Sequence, residues 1–402
     1  MVLNYAKSKY SNSSSAKHTG YLMAKYATDE NKSKGRYYKE IAEDNKYRSV
    51  FGRDRDRIIN SSSFRRLQYK TQVFVNHQGD HYRTRLTHSL EMAQIARWIA
   101  GALEINKDLA EIVSLAHDLG HTPFGHAGEK ALNNKMQNYG GFSHNAHTLK
   151  LITKIEKVFI GIDGLNLSWE TLEGVVKHNG PVIEKNSSNN YIFEYNKIYN
   201  LDLNNFPSLE AQVSAISDDI AYNNHDIEDG LRAGLFEIEA LFSIPLIGDI
   251  YQEILKNNSN IKRELLVAEA KRKITLKMVV DVIENTKHNI KNFKIKSIDD
   301  VRKFNQSIVN FSDFMQDVHF KTKEFLMQNM YRHNIVNQMT KDAENIVATL
   351  FDFFMQNSNY LPKDEITISN KNNKKLLSDI VSDYIAGMTD RFAIKQYQQI
   401  IK

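Results

Sequence analysis

The sequence contains no cysteine. Disulfides, zinc–thiolate sites, iron–sulfur clusters and cysteine nucleophiles are therefore excluded, and a bound metal would need His, Asp, Glu or backbone oxygen. Only five prolines interrupt 402 residues, so long helices are permitted. No run of about 18 apolar residues offers a transmembrane helix. The first twenty residues lack the apolar core of a secretory signal. Glycine-rich phosphate loops and dinucleotide fingerprints are also missing. These absences set the expectation of a cytoplasmic protein with no membrane partner.

What is present is an ordinary globular composition, 41% hydrophobic and 25% charged, with 14 histidines. The net charge of +5 is unevenly placed. Residues 1–70 hold 16 Lys and Arg against 7 Asp and Glu, and the remainder is slightly acidic. A basic N-terminal region suits a polyanion, either a nucleic acid or a polyphosphate ligand, although a solvated tail is the plainer explanation. Tyr10, Tyr21, Tyr26, Tyr37, Tyr38 and Tyr47 sit among its lysines, a pattern compatible with secondary binding of single-stranded nucleic acid.

Periodicity predicts a mostly α protein. Residues 86–104 place Leu86, Leu90, Ala93, Ala96 or Trp98, Ala100 and Leu103 at helical spacing. Asp108 and Glu111 read as a capping box for a helix over 109–117 that stops at Gly120. Pro123 and Gly125 mark a loop before a helix over 126–134. Further helices are expected over 147–160, 169–178, 262–295, 301–356 and 376–398. Ser208 is a natural N-cap for a long helix over 209–235. Residues 181–205 read as a loop or small hairpin, and 356–375 as a polar connector.

The densest chemistry lies in LAHDLGHTPFGHAGEKAL, with His117, Asp118, His121, His126 and Glu129 close together. So many ionisable groups ending an apolar helix are costly to bury unless a ligand is shared among them. His117 and Asp118 offer two metal donors from one helix end. His88 upstream, and Asp218 or Asp219 downstream, can complete the set. Mixed nitrogen and oxygen donors suit Mn, Fe, Co, Ni or Zn, with Mg usable. Arg85 shares a helical face with His88 and is a natural phosphate partner. Asp218, Tyr222 and Asp226, four apart, line one helical face.

Several ordered blocks carry a resemblance: RDRDRIINSSSFRRLQYKTQVF, GDHYRTRLTHSLEMAQIAR, LAHDLGHTPFGHAGEKAL, GGFSHNAHTLK, SDDIAYNNHDIEDG and DYIAGMTDRFA. Together they span about residues 20–398, and the chain resembles the bacterial dGTPase-like branch of the HD-domain deoxynucleoside triphosphate triphosphohydrolases. The resemblance implies an all-α HD-superfamily domain enlarged by further helices. Its expected organisation is a basic irregular segment at 1–50, a phosphohydrolase core at 51–235 and a helical region packed on it at 236–402. It implies hydrolysis of a dNTP to deoxynucleoside and inorganic tripolyphosphate. The metal ligands map onto His88, His117, Asp118 and Asp218, with Mg²⁺ or Mn²⁺ as the divalent ion. His126 matches the catalytic histidine and Glu129 the acid that orients it. Arg85, His121, His144 and Tyr222 match phosphate contacts, Gln72 a position near deoxyribose and base, and Asp226 one near the sugar 3′-hydroxyl. Tyr222 or Tyr82 is the expected aromatic wall against a ribose 2′-hydroxyl. The chain departs from the pattern at three positions. His121 is Asn in some bacterial members, His147 is Gln in many, and Asp219 is basic in the mammalian SAM-and-HD-domain enzyme. Such enzymes are commonly homo-oligomers, and some respond to a nucleotide effector. An HD-superfamily phosphomonoesterase or cyclic-nucleotide phosphodiesterase would share the metal ligands, but does not need Arg85, Gln72 and Tyr222 together. Asp383, Asp390 and Arg391 read as a structural ion-pair cluster.

Overall fold

The computed structural model describes residues 23–39, 48–72, 83–258, 260–362 and 373–401. Among them there is no strand, only isolated bridges, so the chain is all-α. The first half contains α1 (Val50–Ile59), α2 (Ser62–Arg66), α3 (Arg85–Ala102), α4 (Lys107–Ala116), α5 (Gly125–Met136), α6 (His144–Lys150), α7 (Trp169–Val176), α8 (Asn190–Ile198) and α9 (Leu209–Arg232). The second contains α10 (Ile247–Asn257), α11 (Arg263–Asn292), α12 (Ile298–Lys303), α13 (Asp313–Leu326), α14 (Asn334–Gln356), α15 (Lys374–Ala386) and α16 (Asp390–Ile400). None of the described helices is long and apolar enough to cross a membrane.

Helix starts follow local chemistry. Ser49, Thr84, Ser208, Ser312 and Thr389 each accept a backbone N–H in the first turn of the helix that follows. The cap of α4 differs from the expected one. Asn106 accepts the Leu109 N–H at 3.1 Å, while Asp108 and Glu111 pair with Arg97 at 2.8 and 2.6 Å. The cross-helix cation outcompetes the local box. On α3, Leu90 and Trp98 are exposed, and the buried stripe runs through His88, Met92, Ala93, Ala96, Ile99 and Ala100. Residues 181–205 contain α8 in place of a hairpin. The expected helix over 376–398 breaks at Gly387–Thr389 because Thr389 caps α16 afresh. The expected helix over 301–356 is likewise divided, and α10 lies in a stretch for which no helix was expected.

The long helix α9 organises the molecule. It packs against α3 and α4 on one side and against α11 and α13 on the other. One apolar cluster lies between α3, α9 and α11, and a second is built mainly from α1, α4 and α7. A third joins α5 to α14, α15 and α16. Residues 117–124 join α4 to α5, and 137–143 join α5 to α6. Tyr10, Tyr21, Tyr47, Tyr82 and part of the polar connector lie outside the described residues.

Candidate active site

The second turn of α3, the C-terminal end of α4 and the middle of α9 converge. Their donors form a cluster of His88, His117 and Asp218, with ligand atoms all within 4.8 Å of one another. His88 Nε2 lies 2.8 Å from Asp218 Oδ1. His117 Nδ1 faces the Ser114 carbonyl at 2.7 Å, so it carries the proton and leaves Nε2 bare towards the cluster. Burial works to raise the Asp218 carboxyl, but the neighbouring His88 and His117 hold it below the usual carboxylate range. Asp219 instead accepts from Lys323 on α13 at 2.8 Å. The structure thus brings Asp218, and not its neighbour, to the histidines.

Asp118 lies at the edge of this cluster. Its Oδ1 is 3.2 Å from His117 Nε2 and 3.0 Å from His121 Nδ1, and its Oδ2 accepts from Arg85 at 2.6 Å. Burial opposes its ionisation, yet His117, His121 and Arg85 hold it well below the ordinary carboxylate pKa. Two imidazoles and two carboxylates in one partly buried space are a donor set for a divalent first-row ion. The four residues fit such an ion chemically, with Asp118 shared between the donor cluster and the guanidinium.

Beside the donors are buried polar atoms without partners. Arg85 is buried, and its Nε and one terminal nitrogen, Nη2, have no hydrogen-bond partner. Both ring nitrogens of buried His121 are also unsatisfied, the Asp118 approach being close but misaligned. Burial and then Arg85 push the His121 imidazolium well below its usual range, which leaves the ring neutral. Orphaned donors at this density need a ligand or ordered water. The buried Gln72 Oε1 is similarly unpaired. Gln72 adjoins Arg85 across Gly125, where an added Cβ would stand 2.6 Å from Arg85 Nη2 and 3.6 Å from the Gln72 carbonyl oxygen. Phe124 and Gly125 both have positive φ, 61° and 57°, and this turn lets the backbone pass so close.

The rings of His121 and His144 stack at 3.9 Å. Glu129 accepts the His144 backbone N–H at 2.8 Å and also lies 2.8 Å from its Nδ1. His126, whose side chain is 69% exposed, stands 3.4 Å from the other Glu129 oxygen. The sequence pairs Glu129 with His126, and the structure gives Glu129 its closer contacts to His144. Burial alone would raise Glu129, but the histidines around it hold it far below the carboxylate range.

Tyr222 and Asp226 follow Asp218 along α9. The Tyr331 hydroxyl lies 2.7 Å from that of Tyr222 and against Asp226, and the two tyrosine rings are near parallel. Burial, then Asp229 and Asp218, push the Asp226 carboxyl well up, and burial with Asp226 raises Tyr222. Sequence reasoning did not single out Tyr331, His178 or His225. Tyr331 ends a π-turn over Met327–Tyr331, and its distance along the chain left no local signal. His178 ends an apolar helix as His117 does, and its ring lies 5.8 Å from that of His117. Burial and His117 press His178 down to about 4. His225 precedes Asp226 and touches His88 from behind.

Two family models match the chain, the HD domain over residues 85–223 and the phosphohydrolase-associated domain over 309–399. A deoxyguanosinetriphosphate triphosphohydrolase-like protein of Rickettsia felis is 46% identical over 379 residues, which cover 94% of this chain and 98% of that protein. Its counterpart from Rickettsia canadensis is 47% identical over 94% of this chain and all of that protein. A solved hypothetical protein from Aquifex aeolicus aligns at 19% identity over 81% of this chain and 84% of its own, with a TM-score of 0.29, too loose to inform the site. HD domains are metal-dependent phosphohydrolases, and the donor cluster stands inside the matched segment. The chain belongs to the deoxyguanosinetriphosphate triphosphohydrolase-like family of HD-domain phosphohydrolases.

Proposed function

We propose that the protein hydrolyses a deoxynucleoside triphosphate, dGTP foremost, to deoxynucleoside and inorganic tripolyphosphate. The observation that carries this reading is the buried Arg85 guanidinium. It has unpartnered N–H groups and neutral, unpaired His121 nearby, and Asp118 links both to the donor cluster. That arrangement offers donors for a phosphate chain extending away from a metal-activated phosphorus.

His88, His117, Asp118 and Asp218 would hold the divalent ion. When bound it supplies Lewis-acid polarisation of a phosphate oxygen and activation of water. Water attacks the α-phosphorus in line with the 5′-oxygen, and the bond between phosphorus and that oxygen breaks. Arg85, His121 and Tyr222 stabilise charge on the triphosphate. His126 protonates the leaving 5′-oxygen, which would otherwise depart as a poor alkoxide. Glu129 sets the His126–His144 pair in place. Gln72 and the Tyr222–Asp226–Tyr331 group flank the sugar side, where Asp226 can meet a hydroxyl. The protein acts in the cytoplasm as a homo-oligomer.

Each dNTP should be incubated with Mg²⁺ or Mn²⁺, alone and in mixtures, with tripolyphosphate as the scored product. Release from dGTP alone supports the reading, and release only from mixtures adds a nucleotide effector. A metal-loaded protein that releases none, but cleaves a nucleoside monophosphate or a cyclic nucleotide, overturns it. Unchanged turnover in His126→Ala would reassign the general acid.

A further inference from the structure

Behind His88 of the donor cluster lie two groups, His225 and Glu91, that the proposed chemistry does not use. His88 presents Nε2 to Asp218, and its other nitrogen, Nδ1, lies 3.3 Å from His225 Nδ1. His225 Nε2 in turn is 2.6 Å from Glu91 Oε2. His88 and Glu91 come from α3, one turn apart, and His225 comes from α9, so the chain crosses the packed seam between these helices. Both histidines are buried.

The order of protons along this chain follows from its far end. Glu91 pairs with Arg83, and Lys271 of α11 lies 3.1 Å from it. Glu228 shares the same two cations, at 2.7 and 3.1 Å. A carboxylate so paired stays ionised and can only accept, so His225 Nε2 must carry the hydrogen between them. In a neutral imidazole the other nitrogen is then a lone pair. His225 Nδ1 therefore accepts, and His88 Nδ1 must donate. That leaves His88 Nε2 bare and pointed at Asp218. With the opposite tautomer His88 would turn an N–H towards the donor cluster, and two lone pairs would meet at 3.3 Å behind it.

We propose that His225 and Glu91 are positioning residues that lock His88 in the tautomer whose Nε2 is free to bind the divalent ion. The inference rests on His88 being a ligand in the proposed function. His117 reaches the same tautomer through one backbone carbonyl, whereas the partner of His88 Nδ1 is the side chain of His225. The relay is open to adjustment at its outer end. Glu91, whose side chain is 35% exposed, lines a cavity of about 370 Å³ together with His225 and Lys271.

The test is Mn²⁺ affinity of the full-length protein, read by the loss of free Mn²⁺ signal in electron paramagnetic resonance. His225→Ala should weaken binding about 10- to 100-fold, the range seen when outer partners of metal-binding histidines are removed. His225→Gln, whose amide oxygen can accept from His88, should recover part of that loss, and Glu91→Ala should weaken binding by a smaller factor. Affinity within twofold of the native protein in both His225→Ala and Glu91→Ala overturns the relay. If His225→Ala does not fold, Glu91→Ala on the cavity wall decides. His88→Ala separates the two levels. Lost binding there with intact binding in the relay variants sinks the relay alone, and retained binding there sinks the ligand assignment as well. Nitrogen-15 spectra of the Zn²⁺-loaded protein give a second readout: a proton on His88 Nδ1 is expected, and one on Nε2 refutes the proposal.

Discussion

Asp390, the first residue of α16, accepts the backbone N–H of Phe124 at 2.9 Å, from a position 266 residues later in the chain. Its other oxygen accepts the Thr71 N–H at 2.9 Å and the Thr71 hydroxyl. One buried carboxylate thus ties together the strained turn before α5 and the segment leading to Gln72. Removing it leaves buried donors unsatisfied, at roughly 1–3 kcal/mol each. Asp390→Ala should therefore lower stability by about 2–4 kcal/mol and let Phe124 relax from its left-handed conformation. Because the turn sets Gly125 against Arg85, turnover should fall at least about tenfold, as for small displacements of positioning groups. Urea unfolding and tripolyphosphate release check both parts; a stability loss without an activity loss would separate the turn from the site.

Lys70 should give stability an unusual pH dependence. It is buried and donates to the carbonyls of Ala386, at 2.8 Å, and His121. Burial, then the neighbouring Arg66, push its pKa down to about 7. An unfolded chain takes up this proton below about 10.4, the folded protein only below about 7. Between those values the unfolded state binds more protons, so stability from this group is full above the upper value and is lost as pH falls towards 7. The stability difference between native protein and Lys70→Met, followed by urea unfolding from pH 7 to 9.5, should grow in favour of the native protein as pH rises. A pH-independent difference would mean the lysine stays charged throughout.

Asp226→Asn should trade substrate binding for stability. The native carboxyl is pushed well above its ordinary value by burial and by Asp229 and Asp218. In the window above about 3.9 the unfolded chain releases a proton that the folded protein retains, so stability falls as pH rises through it. An amide has no such penalty. The variant should be more stable than the native protein at pH 8, with the gap narrowing at pH 5, and should bind a dNTP more weakly if the hydroxyl contact is real. Thermal unfolding at the two pH values decides; an equal gap at both would show that Asp226 is ionised in the folded protein across the range.

Arg85→Lys keeps a positive charge beside Asp118 and loses the planar fork. Turnover per KM for dGTP should drop about 10²- to 10³-fold, as when a preorganised donor to developing charge is removed. Mn²⁺ affinity should stay within a few fold. Steady-state kinetics and a Mn²⁺ titration separate these effects, and parallel loss of both would make Arg85 a support for the donor cluster.

Much of the site was legible in the sequence because helical spacing is local information. The four-residue interval from Asp218 to Tyr222 to Asp226 places all three along α9, and Ser208 starts that helix as read. Paired side chains from distant segments were not legible in this way. Glu129 is three residues from His126, which favours that pair on spacing, yet the loop over 137–143 returns His144 to within 2.8 Å. Asp383 pairs with Lys150 at 2.6 Å and Asp390 serves backbone and hydroxyl donors, partners that lay outside the expected cluster of Asp383, Asp390 and Arg391.

The sequence by itself determined an all-α chain, the ends of most of its functional helices and the residue types gathered for metal and phosphate chemistry. Capping and periodicity act over a few residues and need no distant partner. Only the tertiary structure decided that Asp218 and not Asp219 meets His88, that Tyr331 closes over Asp226, and that His225 and Glu91 stand behind a donor histidine. Those relations depend on how α3, α9, α11 and α13 pack, and packing selects partners by shape and charge across more than a hundred residues, where the chain carries no local mark of the pairing.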